Sequence, residues 1–156
     1  MDQLDLEIMR ALRDDGRKRF LDIAGELGVS DATIHKRVKK LTDEGAIKGF
    51  EAVIDDSKLG YELTAFIEVG IQTGKAETVV EKLKKVDGVL EIHEIHGRCD
   101  ILLKVRTKNL QDLRDKLVNQ IRSIDEVTLT EAFPVLKIIK EQRSLETLPE
   151  TIEPEE

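Results

Sequence analysis

Residues 20–45 read FLDIAGELGVSDATIHKRVKKLTDEG, and this stretch decides how the chain begins to fold. Phe20, Ile23, Ala24 and Leu27 fall at helical spacing, one apolar stripe over a short helix. Gly28 follows where the chain must turn through a positive φ, which glycine adopts without steric cost. The turn is Gly28, Val29 and Ser30 alone. Ser30 is a good N-cap for a helix from Asp31 to about Glu44, because its hydroxyl oxygen accepts from a free amide of the first turn; Asp31 suits the positive end of the helix dipole. Gly45 ends that helix.

Successive helical residues stand about 100° apart, which brings Ile34, Val38 and Leu41 onto an inner face and Ala32, Thr33, Lys36, Lys39 and Lys40 onto the opposite one. His35 and Arg37 flank the inner stripe, from where long side chains still reach a phosphate. Upstream, Leu4, Ile8, Ala11 and Leu12 mark a further amphipathic helix that ends near Gly16. Two helices joined by so short a turn, behind a third, are the arrangement of the helix-turn-helix. On an isolated helix Lys36, Lys39 and Lys40 would be no more than a solvated face. The glycine turn, the preceding helices and the small residues Ala32 and Thr33, placed where close approach to base edges is needed, point instead to double-stranded DNA as the partner.

The charge distribution supports that partner although the total does not. The 156 residues carry a formal net charge of -7, yet residues 17–48 hold eight Lys and Arg (Arg17, Lys18, Arg19, Lys36, Arg37, Lys39, Lys40, Lys48) against five acids. After Lys140 there are six Glu and one Arg, with Pro149 and Pro154, so residues 143–156 read as a solvated acidic tail. No apolar run approaches the roughly 18 residues that span a bilayer, and the acidic start MDQLDLE lacks the layout of a signal peptide, so the expectation is a cytoplasmic protein without a membrane partner. One cysteine, Cys99, cannot form an intrachain disulfide.

Beyond Gly45 the pattern changes from a 3.6-residue to a two-residue period. AIKGFEAVID (46–55) reads as a strand, the wing of a winged helix-turn-helix, and Asp55 to Gly60 as a turn, which gives a DNA-binding domain over 1–50 and a strand and linker over 51–60. YELTAFIEVGIQ alternates strand-like, residues 75–87 are helical in period, and VLEIHEIHG followed by CDILLKVRT reads as two strands with a tight turn at Gly97. A helix from Leu110 to Ile124 precedes a last strand from Val127 to about Lys140. The order β-α-β-β-α-β over 61–142 is that of a ferredoxin-like domain, and the fold class of the whole chain is α+β. Such a sheet carries both helices on one face. With Ile and Val expected on its second face, it pairs with a copy of itself, which makes the protein a homodimer.

The runs LDLEIMRALRDDGR (4–17), DIAGELGVS (22–30), Thr33 with KRVKKL (36–41), and EGAIKGFEAVID (44–55) closing at LG before Tyr61 resemble the Lrp/AsnC family of feast/famine regulators, known from bacteria and archaea, in its archaeal type. The resemblance covers the chain up to about residue 142. It implies a recognition helix beginning at Ser30, with Thr33, Lys36 and Arg37 near the DNA and Arg17 available for a backbone phosphate. It also implies higher assembly, often an octamer, and an amino-acid effector bound between dimers at a hairpin loop with Gly followed three residues on by Asp, here Gly97, Arg98, Cys99 and Asp100. Turn amides could hold the ligand's carboxylate while Asp100 pairs with its ammonium. Thr128 and Thr130, expected to share a face of the last strand, are weaker additions. An aromatic commonly precedes this Asp in relatives, and Cys99 stands there instead.

An enzyme would draw on Cys99, His93, Glu94, His96 and Asp100. His93 and His96 lie an odd number of residues apart on one expected strand and so point to opposite faces, which suits neither a Cys/His pair nor a metal site. No catalytic residue, metal or cofactor is therefore expected. A nucleoid-organising protein with little sequence preference is the alternative within DNA binding, because phosphate contacts dominate affinity in both cases.

Overall fold

The computed structural model describes residues 1–141, so the expected acidic tail at 143–156 lies outside the described residues. Two compact units make up the chain, Met1–Val53 and Ile54–Lys140.

The first unit is helical. Helix α1 (Gln3–Asp14) is capped by Asp2, whose side chain accepts from the Asp5 amide while the Asp5 carboxylate accepts from the Asp2 amide. Helix α2 (Phe20–Leu27) ends at Gly28, with φ 66°, and Ser30 caps α3 (Asp31–Asp43) by accepting from the Thr33 amide at 3.1 Å. Ile8, Leu12, Ile23, Ala24, Ile34, Val38 and Leu41 form one buried cluster, the inner faces expected from periodicity. Each Ile, Leu or Val among them contributes about 1.5–3 kcal/mol on leaving water.

The expected strand at 46–55 does not form. The Ile47 amide turns back to the Leu41 carbonyl at 3.0 Å, and residues 48–55 are irregular, with Phe50 and Val53 exposed. A strand exists through its ladder, and among the described residues this unit offers no second strand to pair with. The 3-10 turn Asp56–Leu59 belongs to the second unit rather than to a linker, since Asp56 accepts from Arg106 Nη1 at 2.6 Å.

The second unit is an antiparallel sheet of β1 (Leu63–Ile71), β2 (Val89–Glu94), β3 (Ile101–Thr107) and β4 (Val127–Pro134), in spatial order β2-β3-β1-β4. This is the ferredoxin-like order, reached because α4 (Ala76–Leu83) joins β1 to β2 and a second helical stretch joins β3 to β4. Ala65, Ile67 and Val69 pair across to Val105, Leu103 and Ile101, and all six are buried with Val79, Leu83, Leu113 and Ile121 of the helices.

The second helical stretch runs as α5 (Leu110–Asp112), a π-helical segment Leu113–Val118 and α6 (Asn119–Arg122), not one uniform α-helix. The wider π turn takes both Leu117 and Val118 into the core. The last strand stops at Pro134 instead of Lys140, with one further backbone bond from the Val135 amide to the Thr64 carbonyl at 2.9 Å. The β2-β3 connection is the loop of residues 95–100, closed by the Ile95 amide on the Asp100 carbonyl at 2.9 Å; Gly97 makes no tight turn there and is not among the glycines of positive φ.

The second face of the sheet differs from expectation too. Strand alternation sends Ile and Val to the helices and leaves Phe66, Glu68, Leu102, Lys104, Leu129, Glu131 and Phe133 on the open side. Phe66, Leu129 and Phe133 are exposed.

Candidate nucleic-acid interface and effector cleft

Along α3 the side chains expected at DNA divide into three groups. Ala32 and Lys36 are exposed, and Thr33 is half-buried with its hydroxyl 2.8 Å from Ser30 Oγ. Lys36 and Arg17 have no side-chain ion partner among the described residues.

Lys39 pairs with Asp43 at 2.6 Å, Lys40 with Glu44 at 3.9 Å and His35 with Asp31 at 3.7 Å, and the His35 ring meets Phe20 edge-on with centroids 4.7 Å apart. These exposed pairs one helical turn apart are weak, so a phosphate competes with them readily.

Arg37 stands apart, tied to two carboxylates at the start of α1. Its Nη1 donates to Asp2 Oδ2 at 2.5 Å and to Asp5 Oδ1 at 3.0 Å. Asp5 is completely buried. The bonds to Asp2 and Asp5 hold the Arg37 guanidinium protonated, and the Asp5 amide, aided by Arg37, holds the Asp2 carboxyl below the usual carboxylate range. Asp2 and Asp5 were invisible to a reading of α1 by its apolar stripe. Their three-residue spacing at a helix start signals a cap, but nothing in the sequence links it to a residue 32 positions away.

In the sheet unit, Asp100 anchors the hairpin loop to β1. Its amide donates to the Val69 carbonyl at 3.1 Å, and its Oδ2 accepts from the Ile71 amide at 2.8 Å. Beside it lies a cleft of about 320 Å³ lined among others by Gln72, Thr73, Gly74, Glu94, His96 and Asp100. Of the five residues expected to hold an effector, Asp100 alone lines this cleft.

Arg98 turns the other way, onto the open face, where Nη2 donates to Glu68 and Glu131, both at 2.8 Å. Cys99 is buried, and burial together with the neighbouring Glu68 carboxylate pushes its thiol up, so it stays protonated and is a poor nucleophile. Thr130 Oγ1 accepts from Arg122 Nε at 2.6 Å on the helix side of the sheet, while Thr128 sits at the bulge opposite Gly70; the two threonines do not act together. Gly97 leaves open space around its backbone without bordering the cleft. His93 Nε2 lies 2.9 Å from Glu91, and no cluster of His, Cys, Asp and Glu able to hold a metal ion is found among the described residues. Nor is any helix among them long and apolar enough to cross a membrane.

A three-helix DNA-binding unit with an exposed basic recognition helix, followed by a ferredoxin-like unit, defines a two-domain transcription regulator of the α+β class. Residues 1–42 match the AsnC-type helix-turn-helix domain and residues 64–145 the Lrp/AsnC ligand binding domain, and the chain belongs to the Lrp/AsnC family of transcriptional regulators. It is 38% identical over 145 residues to the HTH-type transcriptional regulator FL11 of Pyrococcus horikoshii, covering 93% of this chain and 95% of that one. Among solved structures it is similar to E. coli AsnC, with a TM-score of 0.85 at 31% identity over 91% of this chain and 96% of that one. A transcriptional regulator of Neisseria meningitidis in complex with L-Met also matches with a TM-score of 0.85, at 25% identity over 93% of this chain and 96% of that one.

Proposed function

We propose that the chain is a sequence-specific transcription regulator whose DNA binding is gated by an amino acid held in the cleft beside Asp100, and that it works as a homodimer able to assemble further, to an octamer for example. The observation that carries the DNA reading is the outer face of α3. Ala32 and Thr33 permit close approach to base edges, and Lys36, exposed and without an ion partner among the described residues, is placed to neutralise a phosphate. Arg17, likewise without an ion partner among the described residues, supplies a second cation ahead of α2.

Chemistry favours an α-amino acid in the cleft. Asp100 offers a carboxylate to an ammonium group. Helix α4, whose N-cap Lys75 makes no side-chain cap, begins at Ala76 on the cleft wall and leaves its first-turn amides for a carboxylate. The L-Met complex of the Neisseria relative supports an amino acid as the ligand class. Dimerisation through the open sheet face would cover Phe66, Leu129 and Phe133, at about 25 cal/mol per Å² of apolar area removed from water.

The test is a gel-shift titration on the upstream region of the protein's own gene, repeated with each amino acid added singly. The expected result is a cooperative shift that one amino acid alters, with that alteration lost in Asp100→Ala. A shift indifferent to every amino acid would remove the gating; equal binding to random DNA at moderate salt would remove the sequence-specific reading.

A further inference from the structure

We propose that Asp2, Asp5 and Arg37 form a strut that sets the roll of the recognition helix, so that Arg37 governs operator discrimination without touching DNA. The inference rests on α3 being the recognition helix.

The geometry of the cluster is closed on itself. One Asp5 oxygen accepts from the Asp2 amide at 3.0 Å and the other from Arg37 Nη1 at 3.0 Å, so no oxygen of this buried carboxylate is left without a donor. Asp2 Oδ1 accepts from the Asp5 amide at 3.0 Å, and Asp2 Oδ2 from Arg37. A single Nη1 therefore joins the middle of α3 to both members of the α1 cap. One guanidinium between two carboxylates leaves these three groups with a net negative charge, part of which Lys40 near Asp2 offsets.

A strut at this place has a task that apolar packing cannot perform. Ile34, Val38 and Leu41 hold α3 against the core, but apolar contact is non-directional and tolerates a small rotation of the helix about its axis. Two directional hydrogen bonds from one Nη1 to a fixed cap do not. Contacts to base edges need side chains held to within about 0.5 Å and 10–20°. Thr33 and Lys36 lie within one turn of Arg37 on the same helix, so a roll permitted by loss of the strut moves both out of register with the bases.

Binding of the intact protein to two duplexes tests this: the tightest sequence enriched from a random pool, and a scrambled duplex of equal length and composition. Affinities are measured over a range of salt, below the melting temperature of each variant. For Asp5→Asn and Arg37→Ala the expected result is an operator affinity about 10-fold weaker, with a far smaller change on the scrambled duplex and an unchanged salt slope. Asp5→Asn is the sharper case, because removing a negative charge should by long-range electrostatics strengthen binding to DNA, whereas the strut requires it to weaken operator binding. If Asp5→Asn fails to fold, Arg37→Met, which keeps the apolar stem but lacks the Nη1 donor, is expected to show the same selective loss. Lys36→Ala is the control, with losses on both duplexes and a slope smaller by about one.

Unchanged operator affinity in the strut variants, or equal losses on both duplexes with a flatter slope for Arg37→Ala, would overturn the strut while Lys36→Ala still upholds the recognition helix. If Lys36→Ala changes nothing, the recognition-helix reading itself falls, and the strut with it.

Discussion

Arg37 and Arg98 each donate to two carboxylates, one cluster in each unit, and their surroundings differ. Around Arg37 one carboxylate, Asp5, is fully buried and the other, half-exposed Asp2, caps α1, so the arginine reaches from the surface to a buried carboxylate of the fold. Around Arg98 the arginine side chain is 67% exposed, and Glu68 and Glu131 sit on an open sheet face that also carries Phe66 and Phe133. The lesson is that a guanidinium between two carboxylates has no fixed meaning. Burial of one partner makes it a structural tie that is costly to break, while exposure beside aromatics leaves it available to whatever covers that face. The same contrast holds for the units as wholes: the helical unit wraps its apolar residues around one core, and the sheet unit finishes its core on one face only.

The largest effect that would break this comparison comes from Asp5→Lys. A cation at the fully buried position of Asp5, facing Arg37 with its counter-ion removed, works against the roughly 3–8 kcal/mol that a unit of some fifty residues has to lose. The expected outcome is a helical unit that no longer folds and a chain that no longer shifts DNA, with the sheet unit's own transition retained; circular dichroism melts resolve the two. Next comes Phe66→Glu combined with Phe133→Glu, which places carboxylates where the proposed dimer buries aromatics. Dimer affinity should fall roughly 100-fold or more, read by sedimentation at several concentrations, with the chain still folded. An unaltered dimer would show that another face carries assembly.

Arg98→Ala is expected to do less. It should weaken the dimer several-fold and move the sheet unit's melting temperature by only a few degrees, and a large loss of folding would erase the contrast with Arg37. The smallest effect is in acid. The carboxyl of Asp2 is held down by the Asp5 amide and by Arg37, so its contribution is fully present above about pH 4 and is lost as the pH falls through its lower folded value. Asp2→Asn keeps an N-cap oxygen but no titration. Its stability between about pH 4 and pH 2 should therefore be flatter than that of the parent, as measured by urea melts at each pH.

The recognition helix was largely legible in the sequence, since Ser30 caps α3, Gly28 makes the left-handed turn and Ile34, Val38 and Leu41 are buried on one side. So was the order of strands and helices in the sheet unit, because a two-residue period interrupted by 3.6-residue stretches admits few topologies. What local spacing could not supply is the partner of each element. The segment at 46–55 has the composition of a strand but no neighbour to bond. Arg37 and Arg98 are expected at DNA and effector because a charged side chain near a functional turn looks available, and the sequence does not show the carboxylates that hold them, which stand 32 and 35 positions away in Arg37's case and 30 and 33 in Arg98's.

The sequence by itself therefore determined what depends on neighbours within about four residues: helix faces, caps, turns and the alternation of strands. These follow from backbone geometry and side-chain spacing, which the chain carries locally. Only the tertiary structure decided which face of the sheet is open, which of the expected effector residues reaches the cleft, and which arginine is spent inside the fold. Those outcomes depend on charges and apolar faces brought together across some thirty residues, and the free energy that selects them, burial set against desolvation, exists only once the units have closed.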